Sequence, residues 1–451
     1  MENIIADLRW RGLIHQTTDD ENIARWMLEK PRTLYAGFDP TAESLHVGSL
    51  LPLVTLRRFQ QAGHKPVALV GGATGMIGDP SGKSEERNLL DVEALRRNVA
   101  GIAQQMRRFL WFEGSGFRVQ GSDGAEKIAG SQRDAPSIQN SAALLVNNFD
   151  WMRQFSYLEF LRDVGKNFPV NVMLAKDSVK NRLESEAGIS YTEFSYMLLQ
   201  AYDFVQLHGA HGCELQIGGS DQWGNITAGI DLARRMKSVQ LHGLTMPLLL
   251  TSDGRKMGKT EQGTIWLSAE RTSPYQFYQY WYNVADADAG RCLRMLTELP
   301  RPEIEALDAS REMEPQKRES QRRLAEELTR LVHGDDELQK VLASTKQAFS
   351  GGLAGQTAGE LTTMMQSLPS KVLPQATLTD QVFLITDAMT LVELCKSKGE
   401  VRRKVTEKGV YVNDQPWLDP AAPITAEHLL HCQFLVLRLG KKQQAILRFD
   451  A

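Results

Sequence analysis

The sequence predicts an α/β fold built on a doubly wound parallel sheet, followed by a helical region and a small C-terminal α+β module. Three observations predict it. Residues 33–38 (TLYAGF) form a short apolar run, 46–61 carry apolar residues at helical spacing up to Gly63, and 66–71 (PVALVG) form a second short run. A strand–helix–strand unit of this kind gives parallel strands joined by a right-handed crossover. The same grammar returns at 214–218, a glycine-rich turn, and 225–237. From Pro274 through Lys346 the pattern is helical. Residues 1–247 are therefore expected to form the sheet domain, with a polar, Gly- and Ser-rich surface insertion at 114–141. Residues 248–349 should carry a loop and helices, 350–382 a linker opening on SGGLAGQT, and 383–451 a separate module.

At 451 residues the chain is too long for one compact core. A hydrophobic content of 42% with 24% charged residues fits a soluble globular protein, and no apolar run reaches the ~18 residues of a membrane span. The N-terminus MENIIADLRWRGL mixes both charge signs, so no signal or transit peptide is expected and a cytoplasmic location is. Four cysteines (Cys213, Cys292, Cys395, Cys432) without CxxC spacing argue against a zinc ribbon and a disulfide framework. A net charge of −3 excludes a globally basic surface, so any RNA contact must be local. The module 383–451 holds ten Lys/Arg against eight Asp/Glu, a mild asymmetry in that direction.

Chemistry gathers at the expected strand ends. After the first strand, Asp39-Pro40-Thr41 leads to Ser44, placed to cap the next helix, and to His46 in its first turn. A helix N-terminus offers unpaired N–H groups and the positive end of the dipole, so His46 and Thr41 are placed to donate to a phosphate. Far downstream, Thr251-Ser-Asp-Gly-Arg-Lys-Met-Gly-Lys-Thr260 sets Lys256 and Lys259 among Gly254, Gly258 and Gly263. Two ammonium groups on such a loop suit charge that grows on phosphorus in a transition state. Alone, each cluster is an ordinary surface feature. Together, on an α/β frame, they make a two-sided clamp for a nucleoside triphosphate.

Between residues 193 and 207 one helical face is apolar (Phe194, Met197, Leu198, Ala201, Val205), and Tyr196, Gln200 and Asp203 share the neighbouring stripe. That stripe reads either as a solvated edge or as a polar pocket wall. At 218–225 (GGSDQWGN) Gly218 and Gly219 would let a nucleotide lie against the backbone, and Gln216 is a further pocket candidate. The stretch 75–84 (GMIGDPSGKS) is not a P-loop, because Ile77 stands where the pattern needs glycine and Pro80 removes a donor. In the last module a basic helix with Arg402, Arg403, Lys404 and Lys408, a glycine stop and Val410-Tyr-Val suit RNA phosphates, although a short basic helix is also an ordinary solvated face.

The segments HVGS (46–49) and KMGKT (256–260) resemble the HIGH and KMSKS motifs of class I aminoacyl-tRNA synthetases. With YAGFDPT (35–41), GGATGMIGDPSG (71–82) and GGSDQWGN (218–225), the chain from Leu34 onward resembles the bacterial-type tyrosyl-tRNA synthetases. The resemblance implies a Rossmann-like catalytic domain, a KMSKS-like loop with a helical domain, and an S4-like RNA-binding domain. It implies a homodimeric tyrosine–tRNA ligase. L-tyrosine would be activated by ATP with Mg²⁺ to tyrosyl-adenylate and pyrophosphate, then passed to the 3′ end of tRNA(Tyr). No bound organic cofactor, protein-held metal or membrane is implied. His46, Lys256, Lys259, Thr260 and Thr41 would serve the transition state. Tyr196, Gln200 and Asp79 would take the ammonium group of tyrosine, Tyr35 and Asp203 its phenol, and Gln222 its carboxylate or the adenylate. Gly37, Asp39, His46, Gly48, Ser49, Gly218, Asp221 and Lys259 would line the ATP site, with Asp221 at the ribose. Lys83, Arg87, Arg234 and Arg235 would face pyrophosphate or tRNA, joined on tRNA by Arg402, Arg403, Lys404 and Lys408. The sequence departs from the motifs at Ser49, usually a second histidine, and at Gly258, usually serine, where glycine is expected to favour loop mobility. A tryptophan-specific class I synthetase and a non-catalytic RNA-binding protein on the same fold remain the alternatives.

Overall fold

Strand β2 (Thr33–Phe38) pairs in parallel with β3 (Lys65–Val70) from Thr33↔Lys65 to Phe38↔Val70, as the strand–helix–strand pattern requires. The computed structural model describes residues 3–80, 91–112, 142–184, 188–260, 263–350, 356–365, 368–379, 382–440 and 443–450. Lys83, Arg87 and the expected insertion at 114–141 lie outside them. Two units divide the chain: 1–271 with 283–332, and 272–282 with 333–451.

In the first unit, β1 (Gln16–Thr17), β4 (Leu144–Asn147), β5 (Cys213–Gly219) and β6 (His242–Met246) complete a sheet in the order β1-β6-β5-β2-β3-β4, and β7 (Lys259–Thr260) and β8 (Gly263–Thr264) form a separate hairpin. All pairings are parallel except that of the short edge strand β1 with β6. The chain winds outward from β2 through β3 to β4, then returns to lay β5 and β6 on the other flank. Strand order therefore switches between β2 and β5, and ligands of open parallel sheets bind in the crevice beyond the carboxyl ends at such a point.

Two helices set the crevice walls. The first, Leu50–Gln61, is preceded by a 3₁₀ turn at Val47–Ser49. His46 caps that turn, its Nδ1 accepting the Gly48 N–H at 3.0 Å. Ser44, expected as the cap, instead donates to the Leu45 carbonyl and accepts the Ser268 N–H at 3.1 Å. The second, Tyr191–His211, starts at Ser190, which accepts the Glu193 N–H, and ends at Gly212 in a left-handed conformation. Its apolar face (Met197, Ala201, Phe204, Val205) is buried with Tyr35 and Val67 in one core. Each large side chain so buried contributes roughly 1.5–3 kcal/mol.

The second unit holds a mixed sheet ordered β11-β10-β12-β13-β9, from β9 (Ser370–Pro374), β10 (Val410–Val412), β11 (Gln415–Pro416), β12 (Phe434–Leu439) and β13 (Gln443–Asp450). Helix Lys398–Thr406, capped by Ser397, buries Val401 and Val405 in a core with Val410, Leu435 and Leu447. The stretch expected as linker, 350–382, contains helix Ala358–Met364 and β9, and β9 runs parallel to β13. Helix Pro274–Tyr282, expected with the other helices of 248–349, packs within this unit.

Candidate active site

The carboxyl ends of β2 and β5 open into a cavity of about 440 Å³, within the ~300–1,000 Å³ usual for small-molecule sites. The structure gathers nearly all of the expected pocket residues around it. Tyr35, Gly37, Asp39, Thr41, His46, Gly48 and Ser49 come from β2 and the turn after it, and Asp79 from the loop after β3. Tyr196, Gln200 and Asp203 come from helix Tyr191–His211, Gln216, Gly218, Asp221 and Gln222 from β5 and its turn, and Lys256 and Lys259 from the lysine loop. Thr260 is not among the lining residues; its hydroxyl donates to the Gly263 carbonyl across a hairpin.

The floor is buried and acidic. Tyr35 has no accessible surface, and its phenol oxygen has no hydrogen-bond partner among the described residues. Burial, and then the nearby Asp203, push its pKa well above the ordinary tyrosine value. Asp203, 1% exposed, accepts the Trp151 indole N–H at 2.9 Å and an Asn148 amide N–H at 3.1 Å. Burial lifts its carboxyl to about 7 against the opposing pull of those two donors. The Tyr196/Gln200/Asp203 stripe is thus a pocket wall, not a solvated edge. Tyr196 donates to Asp39 Oδ2 at 3.3 Å, and Thr74 donates to Asp39 Oδ1 at 3.0 Å. Gln222 joins the walls, donating to Asp79 at 2.7 Å and accepting from Gln200 at 3.3 Å and Asn225 at 3.2 Å.

The mouth is cationic. His46 has its pKa lowered by burial first and then by Lys259 and Lys256, which favours the neutral ring. Because Nδ1 accepts from Gly48, the remaining proton sits on Nε2, making that nitrogen a donor. Asp221 is shifted upward by burial and by Asp79, with Lys256 opposing. At Gly219 a methyl would lie 2.6 Å from Asp221 Oδ1, so glycine there keeps that carboxylate in place.

The lysine loop is held rather than loose. Met257 is buried with its sulfur 3.6 Å from Cys292 Sγ on helix Asp286–Leu296, and Arg291 of that helix reaches the Leu250 carbonyl. Gly258 has φ +82°, and a methyl on it would sit 2.6 Å from Val47 Cβ. Glycine is needed there for backbone conformation and for close approach, a different reason from the mobility expected.

Of the basic residues expected at tRNA, Arg234 and Arg235 both pair with Asp231, at 2.6 and 2.7 Å. In the second unit, Arg403 and Lys404 share Glu407, at 3.9 and 2.8 Å, while Arg402 and Lys408 form no ion pair among the described residues. Sequence reasoning missed Asn148 and Trp151, which hold Asp203 from just past the end of β4, a strand that was not expected from the sequence. It also missed Thr264 and Trp266, whose alternation on one strand puts both on the cavity wall.

Comparison with known proteins places the chain as a whole. A family described as class I tRNA synthetases (W and Y) matches residues 27–350, and a tyrosine–tRNA ligase SYY-like C-terminal domain matches 364–447. The chain is 54% identical over 448 residues to a tyrosine–tRNA ligase of Rhodopirellula baltica, covering 99% of this chain and 97% of that one. It is 45% identical over 448 residues to that of Geobacillus stearothermophilus, covering 99% and 100%. Among solved structures, a C-terminally truncated mitochondrial tyrosyl-tRNA synthetase of Aspergillus nidulans superposes with TM-score 0.65 at 33% identity, covering 77% of this chain and 95% of that one.

Proposed function

This chain belongs to the tyrosine–tRNA ligase family of class I tRNA synthetases, and we propose that its cavity performs the family's two steps with the residues described above. In the first, a carboxylate oxygen of L-tyrosine attacks the α-phosphorus of ATP, the new O–P bond forms, and the bond to the β-phosphate oxygen breaks to release pyrophosphate. In the second, a hydroxyl of the terminal ribose of tRNA attacks the tyrosyl carbonyl and AMP leaves. No side-chain nucleophile is required; positioning and charge stabilisation do the chemistry.

The observation that carries the substrate assignment is the buried, unpartnered phenol oxygen of Tyr35 beside Asp203. A phenol bound there can hydrogen-bond to both groups, whereas an apolar ring leaves the Tyr35 phenol oxygen unpaired in a buried site and adds nothing to the Trp151 and Asn148 bonds of Asp203. Asp79, Tyr196 and Gln200 receive the ammonium group, with Gln222 linking Asp79 to Gln200. Asp221 and the Gly218–Gly219 backbone hold the ribose, and Asp39, Gly37, Gly48 and Ser49 border the nucleotide. His46 Nε2–H, Thr41, Lys256 and Lys259 oppose the charge that builds on the triphosphate. Thr260, off the cavity wall, supports the hairpin. Magnesium would come with ATP and would offset part of the charge of its phosphates.

A second copy of the chain is the partner proposed for the apolar surface of the first unit, where Tyr157, Leu158, Val170 and Val172 are 47–75% exposed. Arg402 and Lys408, with Arg403 and Lys404, carry the RNA contact of the second unit, and Arg234 and Arg235 a weaker one. No described helix is long and apolar enough to cross a membrane, and free thiols at Cys213, Cys292, Cys395 and Cys432 fit a cytoplasmic setting. The deciding experiment is ATP–pyrophosphate exchange with tyrosine, tryptophan or neither. Exchange with tyrosine alone supports the proposal, and exchange driven by tryptophan overturns the substrate.

A further inference from the structure

The two halves of the triphosphate clamp hang on one strand. The hairpin strand Gly263–Thr264 runs on through Leu267, and on its lysine side Ile265 N–H donates to the Gly258 carbonyl at 2.8 Å. On its histidine side, Val47 N–H donates to the Ile265 carbonyl at 3.1 Å and Leu267 N–H to the Leu45 carbonyl at 2.8 Å. Strand alternation places Thr264 and Trp266 on the face opposite Ile265, and both line the cavity while Ile265 does not.

Trp266 lies opposite His46 in an antiparallel bridge. Its indole meets the imidazole edge-on, ring centroids 6.3 Å apart at 65°. Beyond it, the Arg271 guanidinium stands 4.8 Å from the indole centroid, which keeps that ring from swinging away. Among the described residues His46 has one side-chain hydrogen bond, its Nδ1 accepting the Gly48 N–H. One bond fixes a point on the imidazole, and a flanking ring fixes its plane.

We propose that Trp266 is a positioning residue for tyrosine activation: its indole holds the His46 imidazole so that Nε2–H faces the triphosphate across from Lys256 and Lys259. This rests on reading the cavity as the ATP site. The role acts through His46, and so it disappears when His46 is gone.

A double-substitution cycle tests it, using Trp266→Leu, Trp266→Phe, His46→Asn and the His46→Asn/Trp266→Leu pair in the full-length chain. Each is assayed by tyrosine-dependent ATP–pyrophosphate exchange and by equilibrium binding of tyrosine. Trp266→Leu should lower kcat about tenfold while tyrosine affinity stays within about twofold, and Trp266→Phe should recover most of the loss. In the His46→Asn background the same leucine should cost less than about twofold, because residues acting as a unit are not additive. Losses that multiply across the two positions overturn the proposal, as does a phenylalanine no better than leucine. A tyrosine affinity that falls in step with kcat also overturns it, since that marks a general loss of structure. Absence of exchange in the unsubstituted protein overturns the reading of the cavity instead.

Discussion

Tyr35 on β2 and Gln216 on β5 face each other in register, and each carries a buried polar atom with no partner among the described residues: the phenol oxygen of one and the amide oxygen of the other. A fold rarely leaves two such atoms unpaired side by side, because each costs about 1–3 kcal/mol. Removing one should therefore move stability and affinity in opposite directions. Tyr35→Phe is expected to raise the melting temperature of the ligand-free protein and to weaken tyrosine binding. Thermal melts with and without tyrosine check both signs, and a variant less stable without ligand contradicts the reading.

Asp203 makes stability depend on pH. Its carboxyl sits at about 7 in the folded chain because it is buried, against about 3.9 when unfolded. Between those values the folded state keeps a proton that the unfolded state has lost, so stability falls as pH rises through that window. The contribution is complete only below about pH 4. Urea midpoints of the ligand-free protein should decline from about pH 4.5 to 7.5 more steeply than those of Asp203→Asn. Equal slopes in the two proteins would reassign the proton.

Lys259 is expected to work on the transition state. Lys259→Ala should lower the rate of adenylate formation on the order of 10²–10³-fold, with tyrosine affinity nearly unchanged. Pre-steady-state rates and equilibrium binding separate the two quantities. Equal losses in both would put the lysine in the ground-state complex.

At Gly258 both conformation and space are at stake. Gly258→Ala should slow activation by about one to two orders of magnitude, the equivalent of 1–3 kcal/mol of backbone strain, and leave tyrosine binding intact. It should also expose the neighbouring Arg255 and Lys256 to faster tryptic cleavage as the loop leaves Val47. A fully active, protease-resistant alanine variant would show that the loop has another route to the same position.

Charging and activation should come apart in the second unit. Arg402→Ala with Lys408→Ala is expected to weaken tRNA binding, flatten its salt dependence by about two charge equivalents, and spare ATP–pyrophosphate exchange. Arg234→Ala should do less, because Asp231 already neutralises that side chain. The comparison needs only aminoacylation and exchange rates at two salt concentrations.

Much of the site was readable because parallel α/β sheets place their chemistry at strand ends, strands β2 and β3 announce themselves as short apolar runs, and β5 repeats the strand–turn–helix order. His46, Lys256 and Lys259 stand out as motif residues, and periodicity puts Tyr196, Gln200 and Asp203 on one stripe, but only the family resemblance made that stripe a pocket wall rather than a solvated edge. Other features do not project onto local pattern. Trp151 reads as one more aromatic until folding brings its indole to Asp203 across the chain. Ser44 is in the right place for a helix cap, yet His46 takes that role because the first turn is 3₁₀. The need for glycine at 258 depends on Val47, which no window of sequence around the loop contains.

β9 makes the one parallel pairing of its sheet among the described residues, with β13, and it comes from the stretch whose Gly- and Ser-rich start suggested a linker. A fragment begun at residue 383 would therefore lack the Pro369 carbonyl that accepts the Ile446 N–H and leave the β9-facing side of β13 unpaired. Naked, apolar edges of that length invite pairing with another chain. Such a fragment should aggregate, whereas one begun near residue 364 brings its own edge cover and keeps the sheet closed against its neighbours.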